Sequence, residues 1–197
     1  MDYNDINSRL ERLYLSINSK FEGNVLEHIK TEYFTKGKKF SVSVNFKAKH
    51  NKNETINRIN TIISNLANLK DHLKIRFKQK GGDPQKIEDE INQDLPLQLI
   101  LDLYNQEKHG YPLKITRRSG KDPRIVNISK AITTRPGVIA TGFIRDPITG
   151  AGVTNNIAIV ITADIVDNQG NLLCSLSDLI SKSLNSWETI MTKYNLN

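Results

Sequence analysis

The chain has 197 residues, 38% hydrophobic and 25% charged, enough for one large domain or one domain with a substantial elaboration. No apolar run approaches the roughly 18 residues needed to span a bilayer. The single cysteine, Cys174, excludes an intramolecular disulfide and a cysteine-built zinc site. The opening peptide Met1-Asp-Tyr-Asn-Asp-Ile lacks the basic and apolar regions of a signal peptide, so the expected location is a reducing cytoplasm, with no membrane partner.

Steps of three and four through Ile6, Leu10, Leu13, Ile17, Phe21, Val25 and Ile29 predict a long helix over 3–34, with Gly37 as its stop. The period then becomes two: Phe40, Val42, Val44 and Phe46 alternate with polar residues, which predicts a strand near 40–47. Ile56, Ile59, Ile63, Leu66, Leu69 and Leu73 predict a second helix over 56–78, broken by Gly81-Gly82. Asp83-Pro84 reads as a cap opening a short helix through Ile91. Asp94 caps another helix, apolar on most sides from Leu97 to Leu103 and so expected at the centre of a bundle.

Beyond Gly110 and Pro112 the helical pattern stops. Modest strands are predicted at 125–132 and 138–145, then a central one at 156–166 that is β-branched on both faces. The strand at 40–47 is expected to pair within 125–166, which makes 1–197 one interleaved domain: 1–112 mainly helical, 113–197 a β-meander plus a final helix. Asp167–Asn171 is a turn leading into that amphipathic helix, which opens at a capping box of Ser175 and Asp178 and carries Trp187 on its core stripe.

The net charge of +7 is unevenly spread. Residues 1–80 net +8, residues 81–112 net −5, residues 113–145 net +7 and residues 146–197 net −3. A basic surface favours a polyanionic partner through counterion release. The plainer reading is a solvated, Lys- and Asn-rich surface. Arg117, Arg118, Lys121 and Arg124 form the densest basic loop and are the candidate nucleic-acid contacts.

The acidic segment ends at Asp102-Leu-Tyr-Asn105-Gln-Glu-Lys108-His109-Gly110. Asp102, Asn105 and His109 share one helical face, and a buried helix carries such groups only if they satisfy one another or something bound. In an antiparallel hairpin with the helix at 56–78, Asp102 falls level with residues 70–72, so Asp71 and His72 become supporting candidates. His72 and His109 would then stand more than ~10 Å apart, too far to share a metal. A plain alternative exists for each: His109 as a C-terminal dipole partner before Gly110, and Asp71-His72 as an exposed pair. Cys174 has no adjacent base, Gly81-Gly82 and Gly150-Ala-Gly152 match no phosphate loop, and Glu88-Asp89-Glu90 reads as a solvated helix face.

A helical hairpin closed by Asn105-x-x-Lys108-His109 resembles the HEPN superfamily over roughly residues 1–110. With the strands and final helix read above, the expected fold is α+β: an N-terminal HEPN-like antiparallel helical bundle, as the resemblance implies, with a small antiparallel β-sheet and a C-terminal amphipathic helix. The resemblance also implies RNA binding or processing in a bacterial defence or toxin–antitoxin setting, homodimerisation, and metal-independent endoribonuclease chemistry without a cofactor. In that role His109 is the acid or base, Lys108 neutralises phosphate, Asn105 orients the imidazole or ribose, and Asp102 fixes the histidine tautomer. The superfamily's motif arginine is absent, because Asp102, Leu103 and Tyr104 occupy its positions, and this argues against cleavage. The alternative is a non-catalytic helical-bundle module for binding or dimerisation, with the polar cluster as a stabilising network.

Overall fold

A computed structural model describes residues 29–36, 39–46, 52–110, 118–134 and 157–196. These form an α+β arrangement of nine elements: β1 (Ile29–Lys36), β2 (Lys39–Phe46), α1 (Lys52–Gln79), α2 (Gln85–Gln93), α3 (Leu95–His109), β3 (Arg124–Thr134), β4 (Ile157–Val166), β5 (Leu172–Ser175) and α4 (Leu176–Lys193). The predicted helix at 3–28, the strand at 138–145 and the turn at 146–152 lie outside the described residues.

β1 and β2 form an antiparallel hairpin with Ile29 opposite Phe46 and Lys36 opposite Lys39. Two expectations change here. Residues 29–34 are strand rather than helix, and the strand at 39–46 pairs with its predecessor, not with the segment 125–166. Thr31, Tyr33, Phe34 and Thr35 are β-branched or aromatic, and cross-strand pairing outweighs the helical spacing that Ile29 continues.

The second sheet has the order β3-β4-β5, all antiparallel, with β4 at its centre as the double-sided β-branching predicts. One extra residue between Val126 and Ser129 makes a bulge at Asn127, whose φ of 52° is a conformation that asparagine tolerates. The Asn127 amide donates to Asp164 Oδ2 at 2.8 Å and ties the bulge to β4. Asp167 closes the β4–β5 turn by accepting from the amides of Gln169 (2.9 Å) and Asn171 (2.8 Å). The Asn171 side chain also donates to it, and with the backbone donors it holds the Asp167 carboxyl below its usual pKa.

The helices wrap one core. Ile59, Ile63, Leu66 and Leu73 of α1 meet Ile87 and Ile91 of α2, the apolar body of α3, and Leu179, Trp187 and Met191 of α4, all buried. Ile165 brings the sheet onto the same core. Among the described residues no helix is long and apolar enough to cross a membrane.

The caps read from sequence for the two helices at 95–109 and 176–193 are in place. Asp94 Oδ1 accepts from the Leu97 amide at 2.8 Å, Ser175 Oγ accepts from the Asp178 amide at 3.1 Å, and Gly110 ends α3 with a φ of 82°. α2 differs from the expectation: Pro84 holds the cap position with no side-chain cap bond, and Asp83, one residue earlier, accepts at Oδ1 from the Gln85 amide at 2.9 Å.

The C-terminal ends of α1 and α4 lock together. The rings of Phe77 and Tyr194 lie 4.8 Å apart, and Lys80 donates to the Asn195 carbonyl. Gly82 completes this corner: a Cβ there would run into the Phe77 ring. Gly82→Ala is therefore expected to destabilise the fold by about 1–3 kcal/mol in denaturant titration. Combining it with Phe77→Ala should cost less than the two separate losses added together.

Candidate functional site

The site is built on α3. Asp94 fixes both its first turn and its position, since Oδ1 caps the helix and Oδ2 accepts from Ser186 Oγ of α4 at 2.5 Å. From this start, position 102 falls on the buried side among Leu99, Ile100, Leu101 and Leu103, and Asp102 is 0% exposed.

A carboxylate in that setting requires partners, and the loop before β3 supplies them. Asp102 Oδ1 accepts from the Arg118 amide at 3.3 Å. Oδ2 accepts from the Ser119 amide at 3.0 Å and from Ser119 Oγ at 2.5 Å. The Lys121 amide donates to Ser119 Oγ at 3.2 Å, so the hydroxyl both accepts and donates. Four residues further along α3, Gln106 Nε2 donates to Asp122 Oδ1 at 3.0 Å. The loop 118–122 is thus fastened to two successive turns of α3.

A second carboxylate gathers the surrounding cations. Glu88 of α2 is ion-paired with Lys74 (2.6 Å), Arg118 (2.7 Å) and Lys70 (4.0 Å). The Arg118 guanidinium also donates to Asn92 Oδ1 at 3.3 Å. Burial pushes the Glu88 carboxyl up, but the hydrogen bonds from Lys74 and Arg118 and the charges of Arg118 and Lys70 outweigh it and hold the pKa below its usual value.

Glu90, two residues further along α2 and so on another face, accepts from Lys193 (2.6 Å) and from the Tyr194 hydroxyl (2.7 Å). Those bonds lower the Glu90 pKa and raise those of Lys193 and Tyr194. The Glu88-Asp89-Glu90 run is therefore not simply a solvated face. Its first and third members join separate elements, and Asp89 alone stays exposed.

The other candidates divide. Lys108 and His109 are exposed at the end of α3 and make no ion pair or hydrogen bond among the described residues; Asn105, half-buried, makes none either. Asp102 and His109 share a helix, but all of the hydrogen bonds to Asp102 come from the loop, so the carboxylate does not set the histidine tautomer. Asp71 is exposed and ion-paired with its neighbour Lys70 at 3.6 Å, and His72 is half-buried on α1.

Of the basic loop, Arg117 lies outside the described residues, and Arg118 is occupied by Glu88. Arg124 Nη2 donates to the carbonyls of Asp167 and Asn168, each at 3.2 Å, and so closes the β4–β5 turn. Lys121 is exposed, with its ammonium in no ion pair among the described residues. Burial and the Asp178 charge push the Cys174 thiol up against the opposing effect of Lys182, which disfavours a thiolate. Among the described residues no three His, Cys, Asp or Glu side chains gather as metal ligands.

No protein-family model matches the chain, and comparison with curated proteins and with solved structures finds no match either.

Sequence alone gives no site role to Ser119 and reads Glu88 only as part of a solvated helix face. The signal for Ser119 was the loop Arg118-Ser119-Gly120-Lys121, whose short polar residues suit a turn that offers its amides to an anion. Glu88 carried no local signal, because its guanidinium partner stands thirty residues away.

Because the Glu88 pKa is lowered by folding, its stabilisation is present above the ordinary carboxylate range near pH ~4.3 and is lost as pH falls through the folded value. Glu88→Gln should cost about 1–2 kcal/mol at neutral pH in chemical denaturation. The gap from wild type should close in acid, whereas Asp89→Asn should stay within about 0.5 kcal/mol throughout.

Proposed function

We propose that the chain is a non-catalytic RNA-binding module. The observation that carries this reading is the cationic end of α3. Lys108 and His109 follow Gln106 on α3, and the bond from Gln106 to Asp122 ties this end of the helix to the loop that carries Lys121; none of the three is ion-paired among the described residues, although the Lys121 charge acts on Asp167. Exposed, uncommitted cations contribute to binding a phosphate backbone, because their contacts release counterions. The net charge of +7 and the +7 carried by residues 113–145 support the same partner.

Cleavage is set aside on two grounds. Metal-independent cleavage needs a proton-transfer group held by a partner and positive charge fixed beside the phosphate. Among the described residues no carboxylate holds His109, and the Arg118 guanidinium is held by Glu88. The HEPN-like ending Asn105-x-x-Lys108-His109 supports an RNA-directed role in a bacterial defence or toxin–antitoxin setting. The missing motif arginine separates the chain from that superfamily's nucleases.

The test is fluorescence anisotropy with a labelled mixed-sequence RNA between about 50 and 200 mM salt, followed by electrophoresis of the same RNA. Affinity should fall steeply with salt and fall roughly tenfold further in Lys108→Glu/Lys121→Glu, with the RNA left intact. Absence of salt-dependent binding removes RNA as the partner. Cleavage by the wild type that is lost in His109→Ala restores the nuclease reading.

A further inference from the structure

The hydrogen bonds to Asp102 define a site by donors that all belong to the loop. The amides of Arg118 and Ser119 and the Ser119 hydroxyl converge on two carboxylate oxygens, and α3 contributes only the tether that carries the anion. We propose that residues 118–121 form an oxyanion cradle, a binding site for a small planar carboxylate, which the native chain keeps filled with its own Asp102.

Three features make this a built site rather than a chance contact. The seat is closed to solvent, since Asp102 is 0% exposed, and there hydrogen bonds to an anion are stronger than in water. The Ser119 hydroxyl is committed: it accepts from the Lys121 amide at 3.2 Å, which leaves its proton for Oδ2 at 2.5 Å. The turn is held independently of the anion, by Arg118 on Glu88 at 2.7 Å and by Asp122 on Gln106 at 3.0 Å. Gly120, with a φ of 64°, gives the backbone the left-handed turn this conformation needs. The donors therefore stay placed when the tethered ligand is removed.

The ligand class follows from size and charge. Truncation of Asp102 at Cβ vacates the volume of one carboxylate, and the Arg118 charge is already balanced by Glu88. The vacated cradle therefore takes a planar monoanion such as formate. A phosphate dianion is too large for that volume and brings a second charge that nothing in the cradle offsets. This proposal does not rest on the RNA reading.

The experiment compares thermal melting of wild type, Asp102→Ala and Asp102→Ala/Ser119→Ala in about 0.2 M sodium formate and in equal sodium chloride. Formate should raise the melting temperature of Asp102→Ala by about 2–5 °C beyond its effect on wild type, and most of that gain should vanish in the double variant. If Asp102→Ala is unfolded in chloride, recovery of its helical circular dichroism in formate reports the same binding. A formate effect no larger than that on wild type, or no recovery of an unfolded variant, overturns the proposal.

Discussion

The described structure turns on one buried charge. Asp102 sits in the most apolar of the described helices, where an unpaired carboxylate would be far too costly to keep. Three donors from residues 118 and 119 satisfy it, so the carboxylate fastens helix and loop together. β3 starts at Arg124, five residues after Ser119, so the same contact sets where the second sheet joins the helical core. Arg124 then carries the constraint onward, because its guanidinium closes the turn that β4 and β5 share.

Helix α2 distributes the remaining charge. Glu88 holds the loop side through Arg118 and the α1 side through Lys74, while Glu90 holds the end of α4 through Lys193 and Tyr194. Two carboxylates on one short helix thus connect the loop and the two longest described helices. Cations drawn into these contacts are lost to a polyanionic partner, which is why the RNA reading rests on Lys108, His109 and Lys121 rather than on the arginines of the loop. The protein's basic character and its internal ion pairing draw on the same residues, and the structure divides them.

Periodicity made the helical core legible. The stripes at 56–73 and 176–191 and the apolar body of α3 are local patterns, and the caps Asp94 and Ser175 needed only neighbours three residues away. Central placement of β4 was legible for the same reason, since its β-branching on both faces is a property of one segment. Hairpin pairing was not. Ile29 follows Val25 at a helical spacing of four, and only the partner strand at 39–46 decides in favour of β structure. The four residues of β5 are too few for alternation to register. Within the site, Asp102 stood out because an acid in an apolar helix is anomalous by itself. Ser119 and Glu88 did not, because their meaning depends on partners seventeen and thirty residues distant.

In the native state Asp102 fastens residues 118 and 119 to α3, beside the separate contacts of Arg118 with Glu88 and of Gln106 with Asp122. Amide hydrogen exchange of the folded wild-type protein, resolved at Arg118 and Ser119, tests this most directly. Both amides should exchange orders of magnitude more slowly than Gly120, and the Ser119 amide should approach the protection of the core of α3. Exchange of the Ser119 amide at the rate of an open loop, with α3 still protected, would contradict the claim.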